Sequence, residues 1–126
     1  MMYRVLLIGI GGALGSVMRF GVSGLTYRVT GGTFPAGTMA VNLIGAFAAG
    51  FLWELVERAV IPSHMRSFIF VGILGGFTTF STFGLESFNL LRDGEIKIAL
   101  YNMVLSNVLC IVLVFAGFAA AKSILK

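Results

Sequence analysis

The chain has 126 residues, of which 58% are hydrophobic and 11% charged, a balance outside the range of ordinary soluble domains. Its formal charge of +4 comes from basic residues scattered near the ends of apolar stretches, which favours membrane anchoring over nucleic-acid binding. Cys110 is the only cysteine, so an internal disulfide is excluded.

Long uncharged stretches predict four transmembrane helices, because a bilayer core of about 30 Å requires roughly 20 helical residues. The predicted spans are Tyr3–Leu25, Pro35–Leu55, Phe68–Leu91 and Ile98–Ile124. We therefore predict an all-α integral membrane protein, with residues 1–126 forming a single four-helix transmembrane domain. We expect it in the cell inner (plasma) membrane as a multi-pass protein. The first span imitates a secretory signal, but three more spans follow, so we take it as a retained helix.

The third predicted span contains a stretch that is poor material for an ordinary membrane helix. Residues 72–83 read GILGGFTTFSTF, with paired glycines followed by alternating hydroxyls and aromatic rings. Irregular backbone at membrane depth survives only where it is buried in protein or lines a hydrated cavity. The sequence therefore predicts a broken third helix, with a functional site near Thr79 at the middle of the span.

The distribution of basic residues gives little orientation preference. The side with the termini and the second loop carries Arg4, Arg58, Arg66, Lys122 and Lys126, and the other side carries Arg19, Arg28, Arg92 and Lys97. Under the positive-inside rule this near balance favours dual topology and an antiparallel homodimer. The two-fold axis of such a dimer would cross the bilayer centre near the broken helix. A weakly biased chain that inserts one way is the alternative.

Polar residues follow one face on each of two spans. Thr38 and Asn42 follow one face of the second span, and Asn102, Ser106 and Cys110 recur at every fourth position of the last. Such stripes serve either helix packing or a polar pathway. For Asn42, whose amide is costly to bury unpaired, function and packing stay equally open.

Charged residues near hydrocarbon are the next candidates. Arg19 and Glu86 are predicted towards the same leaflet, where they either pair directly or line one vestibule; snorkelling is the other interpretation for Arg19. The charges around the second loop, including Glu54, are expected to be solvated.

The spans favour ion passage over catalysis. They contain no nucleophile–base pair, metal cluster or phosphate loop, so we do not expect an enzyme. Aromatic rings presented edge-on beside hydroxyl and amide donors would replace the hydration shell of a small anion. Those donors are Asn42, Thr79, Ser81 and Thr82, beside Phe77, Phe80 and Phe83. Lipid contact or core packing is the competing interpretation for the phenylalanines.

Three motifs together resemble the Fluc (CrcB-type) family of fluoride channels. They are GGALG at 11–15 with Arg19, GTMAVN at 37–42, and GILGGFTTFSTF at 72–83 with Glu86. The resemblance implies a dual-topology antiparallel homodimer with two pores. It also implies fluoride-selective passive conduction that lowers cytoplasmic fluoride and protects against its toxicity.

The resemblance also implies residue roles. Phe80 and Phe83 would line the pore, with Asn42 as a donor. Thr79, Ser81, Thr82 and Ser106 would supply a polar track, and Arg19 and Glu86 would lie near the pore ends. A structural sodium ion on the two-fold axis would bind the backbone carbonyls of Gly75 and Thr78. Cys110 and Gly84 depart from the family pattern.

Two other functions are left open by the residues alone. A small dual-topology multidrug exporter would share the architecture, but it requires an embedded carboxylate, typically in the first span, where this chain has none. A non-transporting packing subunit would leave the donors of the second and third spans without a role.

Overall fold

The structure, a computed structural model, describes residues 1–126 and contains helices only. Three continuous helices are α1 (Met2–Thr30), α2 (Ala36–Glu57) and α5 (Ile96–Ile124). The third span follows a short 3-10 turn, Ser63–Met65, and consists of a π-helix (Ser67–Leu74), the single turn α3 (Gly75–Phe77) and α4 (Phe80–Arg92).

The all-helical fold with four potential spans is confirmed, and so is the break in the third. All four segments are long and apolar enough to cross a membrane. α1 continues five residues beyond the predicted Leu25, to Thr30. It ends at Gly31, whose φ of 52° lies in the left-handed region and whose N–H bonds the Tyr27 carbonyl at 2.9 Å. Arg19 therefore lies inside this helix.

Glycines allow α1 to pack against the first half of the third span, residues 67–77. A Cβ at Gly11 would lie 2.9 Å from the Phe68 carbonyl oxygen, and one at Gly15 would overlap the Ile73 carbonyl. A Cβ at Gly72 would lie 3.1 Å from the Gly11 Cα. Small residues at such contacts let backbones approach closely, which favours association inside a membrane. The GGALG motif thus has a packing role on this face of α1.

α2 and α5 form the other glycine-mediated helix pair. A Cβ at Gly50 would overlap the Val114 carbonyl, and a Cβ at Gly117 would overlap the Phe47 carbonyl. α4 joins this pair by packing on α5. The two glycine contacts place the break of the third span between α1 on one side and α2 with α5 on the other.

The ends of α2 and α5 meet at a charged residue that is buried. Glu54 is only 4% exposed and pairs with Arg58, whose Nη1 donates to the Leu125 carbonyl at 3.0 Å. The prediction that Glu54 is solvated was wrong. Its position in the last turn of α2 faces the C-terminal end of α5, so the ion pair joins the two helix ends.

Candidate functional site at the helix break

The third span breaks at Thr78 and Thr79, which have extended backbones with ψ of 157° and 120°. α4 restarts at Phe80 because Thr79 is its N-cap: the Thr79 side-chain oxygen accepts a hydrogen bond from the Thr82 N–H at 3.3 Å. Threonine is among the preferred N-cap residues, since its hydroxyl satisfies an N–H that has no helical partner. The Thr79 hydroxyl in turn donates to Thr82 Oγ1 at 3.0 Å.

Asn42 of α2 binds both backbone groups of Thr79. Its Nδ2 donates to the Thr79 carbonyl at 2.9 Å, and its Oδ1 accepts from the Thr79 N–H at 2.8 Å. These bonds satisfy backbone groups that the break removes from the helical ladder, at a residue only 8% exposed. The predicted pore donor is therefore next to the break, with its amide already engaged by the backbone.

The carbonyl groups of Gly75 and Thr78 lack their ordinary helical donors. The Thr79 N–H bonds Asn42, and the Thr82 N–H bonds the Thr79 side chain. Gly75 is exposed, and a Cβ there would meet only the Phe70 carbonyl, at 3.5 Å. The Thr78 carbonyl accepts one bond, from Arg19 Nη1 at 3.3 Å. Unwound carbonyls of this kind are suitable ligands for Na⁺, and a carbonyl oxygen has two lone pairs, so both groups fit that ion.

An open groove of about 440 Å³, the break groove, brings most of the predicted site residues together. Its lining includes Asn42, Gly75, Thr78, Thr79, Phe80, Phe83, Ser106 and Cys110. The Phe80 and Phe83 ring centroids are 5.4 Å apart, with the planes tilted by 42°. Phe83 is 8% exposed, whereas Phe80 is 78% exposed on the surface of this single chain. The two rings therefore meet at the edge of the groove, where Phe83 is buried and Phe80 extends to the surface of the chain.

A second cavity, of about 470 Å³, lies against α1 and is here called the Arg19 cavity. Its polar lining consists of Ser16, Arg19, Ser23, Tyr27, Thr38, Thr79 and Thr82. The two ion pairs of the structure join Arg58 to Glu54 and Arg92 to Asp93, so Arg19 has no carboxylate partner. The cavity therefore has a guanidinium group without an ion pair among hydroxyl groups, two of which, those of Tyr27 and Thr38, donate to Glu86.

Sequence reasoning missed Ser16, Ser23 and Tyr27. A signal for them exists, because these residues recur at intervals of seven and four, a spacing that follows one face of a helix. Gly11 and Gly15 lie instead on the face that contacts the third span. Separating the two faces of α1 would have revealed the polar one.

Thr79 lines both the break groove and the Arg19 cavity. The two spaces approach the break from opposite sides, one from α2 and α5 and the other from α1. Thr79 is the one residue that the two linings share.

Glu86 and Arg19 do not pair, so direct pairing is ruled out among the alternatives. Glu86 Oε1 accepts bonds from the Thr38 hydroxyl at 2.7 Å and the Tyr27 hydroxyl at 3.0 Å. Its other oxygen, Oε2, is buried without a hydrogen-bond partner. Glu86 lines a separate cavity of about 270 Å³, next to the loop after α1. The carboxylate and the guanidinium therefore serve different cavities.

The polar stripe of α5 forms a chain of hydrogen bonds to α4. The Ser106 hydroxyl donates to Asn102 Oδ1 at 3.2 Å, and Asn102 Nδ2 donates to Ser87 Oγ at 3.0 Å. Ser87 then donates to the Phe83 carbonyl at 2.8 Å. Ser106 is the member of this chain that lines the break groove. Ser81 is exposed and lines none of the three cavities described here.

Comparison with known proteins shows the family. Residues 6–118 match the family described as CrcB-like protein, Camphor Resistance (CrcB). The chain belongs to the CrcB family. A relative from Parabacteroides distasonis is 45% identical over 124 residues, covering 98% of this chain and 97% of its own. Relatives from Geotalea daltonii (47% identical, 98% and 100% covered) and Opitutus terrae (50% identical, 92% and 90% covered) are similar. All three are named fluoride-specific ion channel FluC.

The CrcB match contains every residue of the candidate site. It extends from before Arg19 to beyond Ser106 and so includes the break, Asn42 and Glu86. The resemblance inferred from the three motifs is therefore confirmed at the level of the family.

Proposed function

We propose that this CrcB-family chain is a fluoride-selective ion channel of the plasma membrane, which gives passive fluoride efflux and protects the cell against fluoride toxicity. Relatives that match over nearly their full length are named as fluoride-specific channels, which supports fluoride as the conducted ion. The four apolar spans support the membrane location. Family membership also favours a channel over the small multidrug exporter and over an enzyme.

The observation that carries the proposal is the position of Thr79, between a groove with phenylalanine rings and a cavity with an unpaired arginine. In the proposed path, fluoride enters the Arg19 cavity, passes the break at Thr79 and leaves along Phe80 and Phe83. Arg19 attracts the anion, because an ionised donor binds anions more strongly than a neutral one.

Neutral groups then replace the hydration shell of fluoride along the path. The Thr82 hydroxyl is free to donate a hydrogen bond to the ion, and the Phe80 and Phe83 rings offer their positive edges. The hydroxyls of Thr79 and Ser106 would donate to the ion by turning away from Thr82 Oγ1 and Asn102 Oδ1. Asn42 contributes to the groove lining while holding Thr79, and the exposed Ser81 extends the polar surface after the break. Glu86, which lines the separate cavity next to the loop after α1, would lie at one end of the proposed path. Neutral donors bind fluoride weakly enough for it to leave, as conduction requires.

An antiparallel homodimer completes the groove in this proposal. The break groove is open, Phe80 projects from its edge, and the Gly75 backbone is exposed. A second, inverted copy would cover these groups at the bilayer centre. Two copies related in this way contain two grooves and therefore two pores. The exposure of Phe80 and of the Gly75 backbone in the single chain favours this arrangement over a monomer in lipid.

A structural sodium ion on the two-fold axis is part of the same proposal. Gly75 and Thr78 supply one freed carbonyl each, and a second copy would supply two more. The ion would stabilise the ends of the broken helices with oxygen ligands alone. The protein has no cluster of three or more His, Cys, Asp or Glu side chains that would bind a metal.

Ion efflux from liposomes tests the proposed function. Vesicles containing the purified protein are loaded with fluoride or chloride, and valinomycin with a potassium gradient balances the charge. We expect rapid fluoride release without chloride release, followed with ion-selective electrodes. Absence of release for both ions, from a folded dimer, would contradict the channel. Proton-coupled movement of a cationic drug in the same vesicles would instead indicate the exporter.

A further inference from the structure

Arg19 is an interior residue of α1 whose only hydrogen bond is made to the broken helix. Its Nη1 donates to the Thr78 carbonyl at 3.3 Å, and it has no ion pair. The Thr78 carbonyl follows α3, where the first half of the third span ends. Carbonyls at a helix C-terminus have partial negative charge, and a cation beside them is stabilising. Arg19, which belongs to α1, therefore stabilises the partial negative charge at the C-terminal end of α3.

The same carbonyl is one of the two that fit a sodium ion. A carbonyl oxygen can bind both partners through its two lone pairs, but the partners are then neighbouring positive charges. Two unit charges a few ångströms apart repel each other strongly in a partly buried site. The guanidinium therefore stabilises the break by binding the Thr78 carbonyl oxygen. It also repels a sodium ion that binds the same oxygen.

We propose that Arg19 is a positioning residue which caps the Thr78 carbonyl and lowers the affinity of the break for sodium. This role is separate from attracting fluoride in the Arg19 cavity. It rests on the sodium site of the proposed function. Because Arg19 contacts both the cavity and the break, it links the electrostatics of the anion path to the cation at the helix break.

The test measures sodium binding and does not depend on ion flux. Thermal unfolding of the purified dimer is followed while NaCl replaces N-methylglucamine chloride at constant ionic strength. A ligand that binds only the folded state stabilises it by RT ln(1 + [L]/Kd), so the dependence of the melting temperature on sodium concentration gives Kd, the midpoint of sodium occupancy. We expect Arg19→Met to lower this sodium midpoint by about tenfold, since a repelling charge is removed.

Two further variants isolate the cause. Arg19→Lys retains the charge and should have a sodium midpoint near that of the wild type. Ser23→Ala changes the same cavity without contacting the break and should leave the midpoint unchanged. Equal sodium midpoints for Arg19→Met and wild type would overturn the proposal. Melting temperatures that do not change with sodium in either protein would overturn it too. A shift in Arg19→Lys as large as in Arg19→Met would also overturn it.

This result is distinct from that of the liposome experiment. A wild-type dimer that binds sodium but releases no fluoride contradicts the proposed channel and leaves the Arg19 inference standing. A dimer that conducts fluoride with an unshifted sodium midpoint in Arg19→Met contradicts only the inference.

Discussion

The two halves of the third span are held in the protein by different physical means. The first half, residues 67–77, packs on α1 through backbone contacts at glycines such as Gly15 and Gly76. The second half, α4, is joined to its neighbours by side-chain hydrogen bonds: Tyr27 and Thr38 donate to Glu86, and Asn102 donates to Ser87. Between them, Asn42 and Arg19 bind the break itself.

The difference shows how an irregular backbone is kept at membrane depth. Close glycine packing tolerates no added volume, so it positions the first half rigidly. Polar side chains are directional, so they define where α4 restarts and where its hydroxyls and rings point. The break is stable because each freed backbone group at Thr79 has a side-chain partner, as a lipid environment requires.

The largest expected effect is in the glycine-packed half. Gly15→Ala should lower the stability of the protein by about 3 kcal/mol, because overpacking against rigid backbone costs this much or more. Its Cβ would overlap the Ile73 carbonyl and lie 2.8 Å from the Phe77 nitrogen. Gly12→Ala is the matched control, since a Cβ there meets nothing within 4 Å. Thermal unfolding checks both, and equal melting temperatures would contradict the close contact.

At the break, Asn42→Leu should destabilise by about 2–3 kcal/mol, because it leaves a buried N–H and C=O of Thr79 unpaired. Asn42→Asp should lose at least as much stability, because a carboxylate cannot donate to the Thr79 carbonyl and its charge would be buried unpaired. Amide hydrogen exchange at residues 78–82 measures the local opening in each variant. Protection that is unchanged in Asn42→Leu would show that Asn42 does not hold the break.

The ring pair distinguishes stability from conduction. Phe83→Leu removes part of a buried side chain and should cost about 1 kcal/mol of stability, whereas Phe80→Leu should cost less in the isolated subunit. Both should slow fluoride release from liposomes. Phe88→Leu changes another exposed ring of α4, outside the break groove, and should conduct as the wild type does. Normal conduction by both ring variants would refute the pore assignment.

The smallest effect is expected in the polar half. Tyr27→Phe removes one of the two hydrogen bonds to Glu86 Oε1 and should lower stability by about 1 kcal/mol. Tyr101→Phe is the control, because that ring is exposed on α5 and its hydroxyl has no hydrogen bond within the chain. If the two variants unfold at the same temperature, the Tyr27 bond contributes nothing measurable.

The sequence predicted the spans and the break because both depend on local composition. Uncharged length defines a membrane helix, and the glycines and hydroxyls of residues 72–83 indicated where one would be interrupted. The predicted end of α1 was five residues too early. Uncharged length alone does not define where a helix ends, and the cap at Gly31 was not considered.

Partners across helices were harder to predict. Asn42 was identified as a candidate from the cost of burying its amide, with function and packing equally open, but that cost does not identify Thr79 as the group it binds. Arg19 and Glu86 have opposite charges and were considered as a pair, yet each is nearer to neutral oxygens from other helices. Glu54 was assigned to a solvated loop because only the packing of α2 against α5 buries it.

The most direct test of the account concerns the residue shared by the two cavities. Fluoride release from liposomes would be compared for wild type, Thr79→Ser and Thr79→Val, each verified as a folded dimer. Serine retains the hydroxyl that caps α4 and donates along the path, and valine replaces it by a methyl group of similar size. The account predicts release by Thr79→Ser close to that of the wild type, and release by Thr79→Val at least about tenfold slower, the loss expected for one removed hydrogen bond of about 1.4 kcal/mol. Wild-type rates in Thr79→Val would contradict a fluoride path that passes this residue.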